Sequence, residues 1–74
     1  MPNDHSARDK TTIPELARVR LLREVGPMAS GNVGTVVHVY PRSEAYEVEF
    51  RTGPGPLDWH LQMCLPDSLE DVNV

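Results

Sequence analysis

Few residues in this 74-residue chain are of a type and spacing that could do chemistry: the glycine pair Gly31 and Gly34, the histidines His38 and His60 (His5 lies in the polar leader), the single cysteine Cys64, and the carboxylates Glu47 and Glu49. A glycine-rich turn binds phosphate when it leads into a helix whose first N–H groups point at the anion. Gly31-Asn32-Val33-Gly34 leads instead into Thr35-Val36-Val37, β-branched residues suited to a strand. The Lys-Ser/Thr pair of a phosphate loop is missing as well. The two glycines therefore read as devices for bending the chain. Gly31 is expected at positive φ in a tight turn, and Gly34 at a bulge or a close approach of backbones.

The histidines and the cysteine make a poor metal set, because zinc takes three or four protein ligands. Cys64 follows His60 by four residues, which puts both on one strand face but about 13 Å apart along it. His38 falls in phase with Val36 and Tyr40, and His60 out of phase with Trp59. A nucleophilic thiol needs a base and an electropositive surround, whereas Cys64 sits among Met63, Leu65 and Pro66. It reads as an inert thiol. Glu47 and Glu49, about 7 Å apart on one strand face, read as a solvated face rather than an acid/base pair. No catalytic, metal-binding or cofactor-binding set converges, and the chain is expected not to be an enzyme.

These residues are carried by short strands. "RVRLLR" (18–23) alternates polar and apolar, with Val19 and Leu21 on one face and Leu22 out of phase with them. "GTVVHVY" (34–40) is the strongest strand, and "AYEVEF" (45–50) alternates strictly: Tyr46, Val48 and Phe50 against Glu47 and Glu49. "LDWHLQMCL" (57–65) alternates again, which marks Trp59, Leu61, Met63 and Leu65 as a core-facing set. "TTIPEL" suits a single helical turn. "PDSLEDV" suits one helical or 3₁₀ turn, with a last brief strand from Val72. "EVGPMASG" and "RTGPGP" are loops by their glycines and prolines, and the polar residues 1–12 read as a disordered leader before one domain over 13–74. Four or five short strands in so little chain imply an all-β fold closed into a small, strongly bent barrel.

Composition narrows the partners. Seven basic and eleven acidic residues leave a formal net charge of −4, and the last nine residues carry Asp67, Glu70 and Asp71 with no base. That balance lacks the basic stripe a phosphate backbone needs. One cysteine permits no internal disulfide and suits a reducing cytoplasm. No run resembles a signal sequence or a membrane span, so no membrane partner is expected.

"VRLLREV…SGNVGTVVHVYPRSEAYEVEF", followed by "LPDSLEDV", resembles the bacterial domain-of-unknown-function family 4926 across roughly residues 13 to 72. The resemblance is specific at Gly31, Gly34 to Val37, Tyr40-Pro41 and Ala45 to Phe50, while "RTGPGPLDW" departs from it. It implies a small SH3-like barrel, of the kind found in ribosomal KOW modules and in small barrel subunits of photosystem I and ferredoxin–thioredoxin reductase. It supplies no catalytic residues.

The functional expectation is a non-catalytic module docking on a partner protein, as an accessory or antitoxin-like subunit would, through its exposed strands and the two proline-glycine loops. Arg18, Arg20, Leu22, Tyr40 and Arg51 are the expected partner-binding residues. The alternative is a KOW-like nucleic-acid-binding module using its arginines. "RVRLLR" reads as an edge strand with Leu22 in need of cover, so the chain is expected to be a monomer or a weak homodimer joined there.

Overall fold

In the computed structural model, which describes residues 13–72, five strands form one antiparallel sheet. They are β1 (Arg18–Leu21), β2 (Val33–Val39), β3 (Tyr46–Arg51), β4 (Trp59–Cys64) and β5 (Leu69–Asp71). Short 3₁₀ turns, Pro41–Ser43 and Pro66–Ser68, join β2 to β3 and β4 to β5. The order β4-β3-β2-β1-β5 makes β1 to β4 a meander and returns β5 to β1. The expected leader lies outside the described residues. Residues 13–17 form a turn and not a helix: Leu16 sits at φ 73°, and its N–H donates to the Val36 carbonyl.

Two features of the sequence reading are corrected. The sheet is not a closed barrel, because β4 and β5 are its free edges. It is nevertheless curled. In a flat sheet β4 and β5 would stand about 19 Å apart, four strand spacings, yet only Leu65 and the 3₁₀ turn Pro66–Ser68 connect them. A 3₁₀ turn rises only about 2 Å per residue, so the sheet must curl until its edges approach at that corner. The connecting chain, and no ladder, holds them together. Secondly, β1 is not an edge: it pairs with β2 on one side and β5 on the other. Leu22 is half exposed just beyond it, its N–H donating to the Ser68 carbonyl. The homodimer expected through a β1 edge has no edge there to form on.

The core fills the concave face. Val19, Leu21, Val36, Tyr46, Val48, Phe50 and Cys64 are fully buried, with Ile13, Ala17, Met28 and Leu69 around them. Tyr46 reaches across to accept a hydrogen bond at Oη from the Ile13 N–H (3.2 Å), which ties the chain before β1 to β3. Gly31 stands at φ 95° and Gly34 is packed beneath β3. A Cβ at Gly34 would lie 2.7 Å from the Glu49 carbonyl oxygen and 2.7 Å from Val48 Cγ1. Both glycines do what the sequence implied: one turns the chain and the other lets two strands approach. The bulge sits further along, where β2 slips register between Val36 and His38. Val36 stays buried, while Val37 and His38 are both exposed. His38 therefore leaves the face of Val36 on which strict alternation had placed it.

Candidate functional site

β4 has the sequence pattern of a core strand and the opposite placement. Its ladder with β3 pairs Phe50 with His60, Val48 with Gln62 and Tyr46 with Cys64. Directly opposed residues share a sheet face, so the buried row of β3 carries His60, Gln62 and Cys64 inward. Trp59, Leu61 and Met63 are left on the convex face at 42%, 41% and 52% exposure, continued by Leu65 at 57%. The expectation that Trp59 and its in-phase neighbours line the core is overturned. One residue of register decides this, because side chains alternate with period two.

The loop before β4 sets that register. Thr52 N–H donates to the Asp58 carbonyl (2.9 Å), and Asp58 Oδ2 accepts the Gly55 N–H (2.9 Å). Arg51 closes the same loop by donating from Nη2 to the Gly55 carbonyl (2.7 Å). The Thr52–Asp58 bond also fixes the phase of the ladder. Hydrogen-bonded and non-bonded pairs alternate in an antiparallel ladder, so the backbone groups of Leu61 and Met63 point away from β3 towards the open edge. Apolar side chains and outward-pointing backbone groups therefore lie along the same strand, where the Met63 carbonyl accepts from Gln62 Nε2 (3.3 Å) and the Trp59 N–H donates to the Leu57 carbonyl (3.0 Å).

The convex face reads as columns. Next to the apolar column of β4 stands a charged column on β3, with Arg51 opposite Trp59, Glu49 opposite Leu61 and Glu47 opposite Met63. Beyond β2, β1 contributes Arg18 and Arg20. At the end of β4 a groove of about 200 Å³ is lined by Met63, Leu65, Arg23, Val25, Asp67 and Ser68. Pockets for small molecules measure about 300–1,000 Å³; this one has room for a side chain.

The predicted partner-binding residues do not form one site. Arg18 and Arg20 share the outward face of β1, as their spacing required, and Arg20 is bound to Glu70 by an ion pair of 2.9 Å. Arg51 reaches that face at the far end of β3, beside the loop it closes. Tyr40 is half-buried past the end of β2, donating from Oη to Glu47 (2.8 Å) and packing edge-on against His38 at 4.7 Å. That hydrogen bond, then burial and the Glu47 charge, raise the Tyr40 phenol above its usual range. Leu22 stands apart beside β5. Between the arginines of the convex face lie Glu47, Glu49 and Glu70, so the cations do not make an unbroken stripe.

The remaining candidates are separated. His60 Nε2 lies 3.0 Å from Gln62 Oε1, and His38 lies on the convex face. Burial, with a smaller contribution from the Glu47 charge, pushes the Cys64 thiol up to about 11. At neutral pH it is a protonated thiol in the core.

Sequence reasoning missed the β4 surface because its alternation is the same for a buried and an exposed face. The cue available was the other half of the pattern: Cys64, a residue type that is usually buried, falls in phase with His60 and Gln62.

A family model described as "Domain of unknown function (DUF4926)" matches residues 15–56, a span that covers β1 to β3 and ends before β4. No curated protein and no solved structure matches the chain.

Proposed function

This chain belongs to the family described as a domain of unknown function (DUF4926), and from that premise we propose that it is a non-catalytic module that binds another protein chain through the convex face of β4. The observation that carries the reading is the column Trp59, Leu61, Met63 and Leu65, left in solvent on an edge strand. A contiguous apolar patch on a small soluble domain marks an interaction surface, and an open strand edge is a template for pairing. The sheet beneath is rigid, with seven side chains fully buried. An accessory subunit held on a larger partner is the form of this function that so small a domain suits.

Nucleic-acid binding is the weaker reading. Arg20, Arg23, Arg42 and Arg51 already bond to protein oxygens, and acidic residues stand between the arginines of the convex face. Retention on RNA at low salt that weakens as salt rises would favour it.

The test is a pull-down from the native host with a tagged copy expressed beside an untagged one. Wild type retains a protein chain, and Leu61→Lys, which alters only the convex face, loses it. Recovery of nothing by wild type, its own copies included, overturns the reading.

A further inference from the structure

Away from β4 the exposed features stand alone. Leu57, 84% exposed, is a single side chain on a loop, and Leu16, at 75%, is another. Tyr40 and Glu47 bond to each other, with His38 packed on the tyrosine ring. The groove of about 200 Å³ continues the β4 surface. That surface differs, because the carboxylates around it lack counter-ions.

We propose that the partner segment seated on the β4 column is a basic amphipathic helix. The inference rests on reading β4 as a docking surface and names the chemistry of what docks there. Glu47 and Glu49 stand one strand spacing, about 4.8 Å, from Met63 and Leu61 across the ladder. Glu24 and Asp67 line the groove beside Leu65. The ion pairs among the described residues are Arg20–Glu70 and Arg42–Glu44, so none of these four carboxylates has a cation there. The Glu49 carboxylate is half-buried between Thr35 and Leu61 and accepts no hydrogen bond among the described residues. Glu47 accepts from Tyr40 at one oxygen and keeps the other. The arginines at the two ends of the column are held on backbone carbonyls, Arg51 on Gly55 and Arg23 on Asp67. Four carboxylates against two arginines leave the surround negative, and Lys or Arg on the partner complements it.

A helix is favoured over a strand by the state of the edge. A strand added to β4 would need the outward backbone groups of Trp59, Leu61 and Met63. The Trp59 N–H is already donated to the Leu57 carbonyl, and the Met63 carbonyl already accepts from Gln62 Nε2. The side chains are free where the ladder is not. From Trp59 to Leu65 the column runs about 20 Å at about 3.3 Å per residue, a length that about 13 residues of helix span at about 1.5 Å each. An apolar stripe at i, i+3 or i+4, and i+7 lies along the column, with its last side chain in the groove and basic residues on the flank facing β3. Residues 1–12 of this chain do not fit, since Met1, Pro2 and Ala7 are their only apolar residues. Nor does a second copy, whose described residues hold no α-helix.

Trp59 is the only tryptophan, so its emission reports the contact without a label. The probes are two synthetic helical peptides of about 14 residues, each with a leucine stripe, flanked on one side by lysines in the first and by glutamates in the second. The lysine peptide binds and shifts Trp59 emission to the blue, and added salt weakens it. The glutamate peptide binds at least about tenfold more weakly. Glu49→Lys keeps native circular dichroism and reverses this preference, and Glu49→Gln removes most of it. Glu15→Lys, the same charge change in the exposed turn before β1, leaves it as in wild type. A proline in the middle of the lysine peptide, which breaks the helix, abolishes the shift. Equal binding of the two peptides overturns the inference, and so does a preference that Glu15→Lys reverses as well, which net charge alone would produce. An undiminished response to the proline peptide overturns the helix. A wild-type sedimentation mass that rises above 8.3 kDa with concentration and returns to it in Leu61→Lys makes a second copy the occupant and overturns the inference too. If neither peptide moves Trp59 emission while a host protein retained by wild type is released by Leu61→Lys, the docking reading stands and this inference alone fails.

Discussion

β3 and β4 carry the same pattern and meet opposite fates. Tyr46, Val48 and Phe50 alternate with Glu47, Glu49 and Arg51; Trp59, Leu61 and Met63 alternate with His60, Gln62 and Cys64. On β3 the apolar set is buried to 1% exposure or less, and on β4 it stands about half exposed. The strands are neighbours, so neither propensity nor place in the chain separates them. What separates them is the pairing of Phe50 with His60. Once the loop bonds of Thr52, Gly55 and Asp58 fix that register, β3 claims the concave face and β4 can add only its polar set and Cys64. Burial is a property of the pair, and a single strand does not contain it.

The largest effect that sharpens this contrast is expected from matched truncations. Phe50→Ala should cost about 3–5 kcal/mol, as aromatic truncations in packed cores do, whereas Leu61→Ala should stay within about 1 kcal/mol because its side chain is already partly in water. Urea unfolding of the two variants measures both. Equal losses would mean that β4 packs inward in solution. Gly34→Ala comes next: the new methyl group meets the Glu49 carbonyl, which is backbone and cannot rotate away. A loss of about 1–3 kcal/mol or more is expected, against little change where β4 is merely exposed.

A smaller effect distinguishes the inward face of β4 from its outward one. With the folded Cys64 pKa raised from 9.0 to about 11, the native state holds the proton more tightly than the unfolded chain. The resulting stabilisation is fully present below pH 9 and is lost as pH rises from 9 through 11. Cys64→Ala should therefore flatten part of the fall in stability across that window. At pH 8, native Cys64 should react with a thiol reagent far more slowly than in urea, and equal rates would show the thiol on the surface. The smallest effect is on the convex face of β1, where the exposed Arg20–Glu70 pair is worth about 0–1 kcal/mol. A double-mutant cycle giving several kcal/mol would overturn that placement.

The sequence by itself determined the all-β class, the bounds of β1 to β4 to within a few residues, the sets Val19 with Leu21 and Tyr46 with Val48 and Phe50 that share a buried face, and the roles of Gly31 and Gly34. Those follow from period-two alternation, β-branched content and the conformational freedom of glycine, all local properties. The last strand, expected from Val72, is Leu69–Asp71 and ends before it, because only Pro66–Ser68 of "PDSLEDV" forms the turn. Only the tertiary structure decided that the sheet stays open at β4 and β5, that β1 lies inside it, that His38 leaves the face of Val36 at the bulge, and that Trp59 is exposed. Alternation shows that a strand has two faces and not which one is covered. That choice is made across strands, by a register the loop bonds hold and by the curl that the short link from Cys64 to Leu69 forces on the sheet.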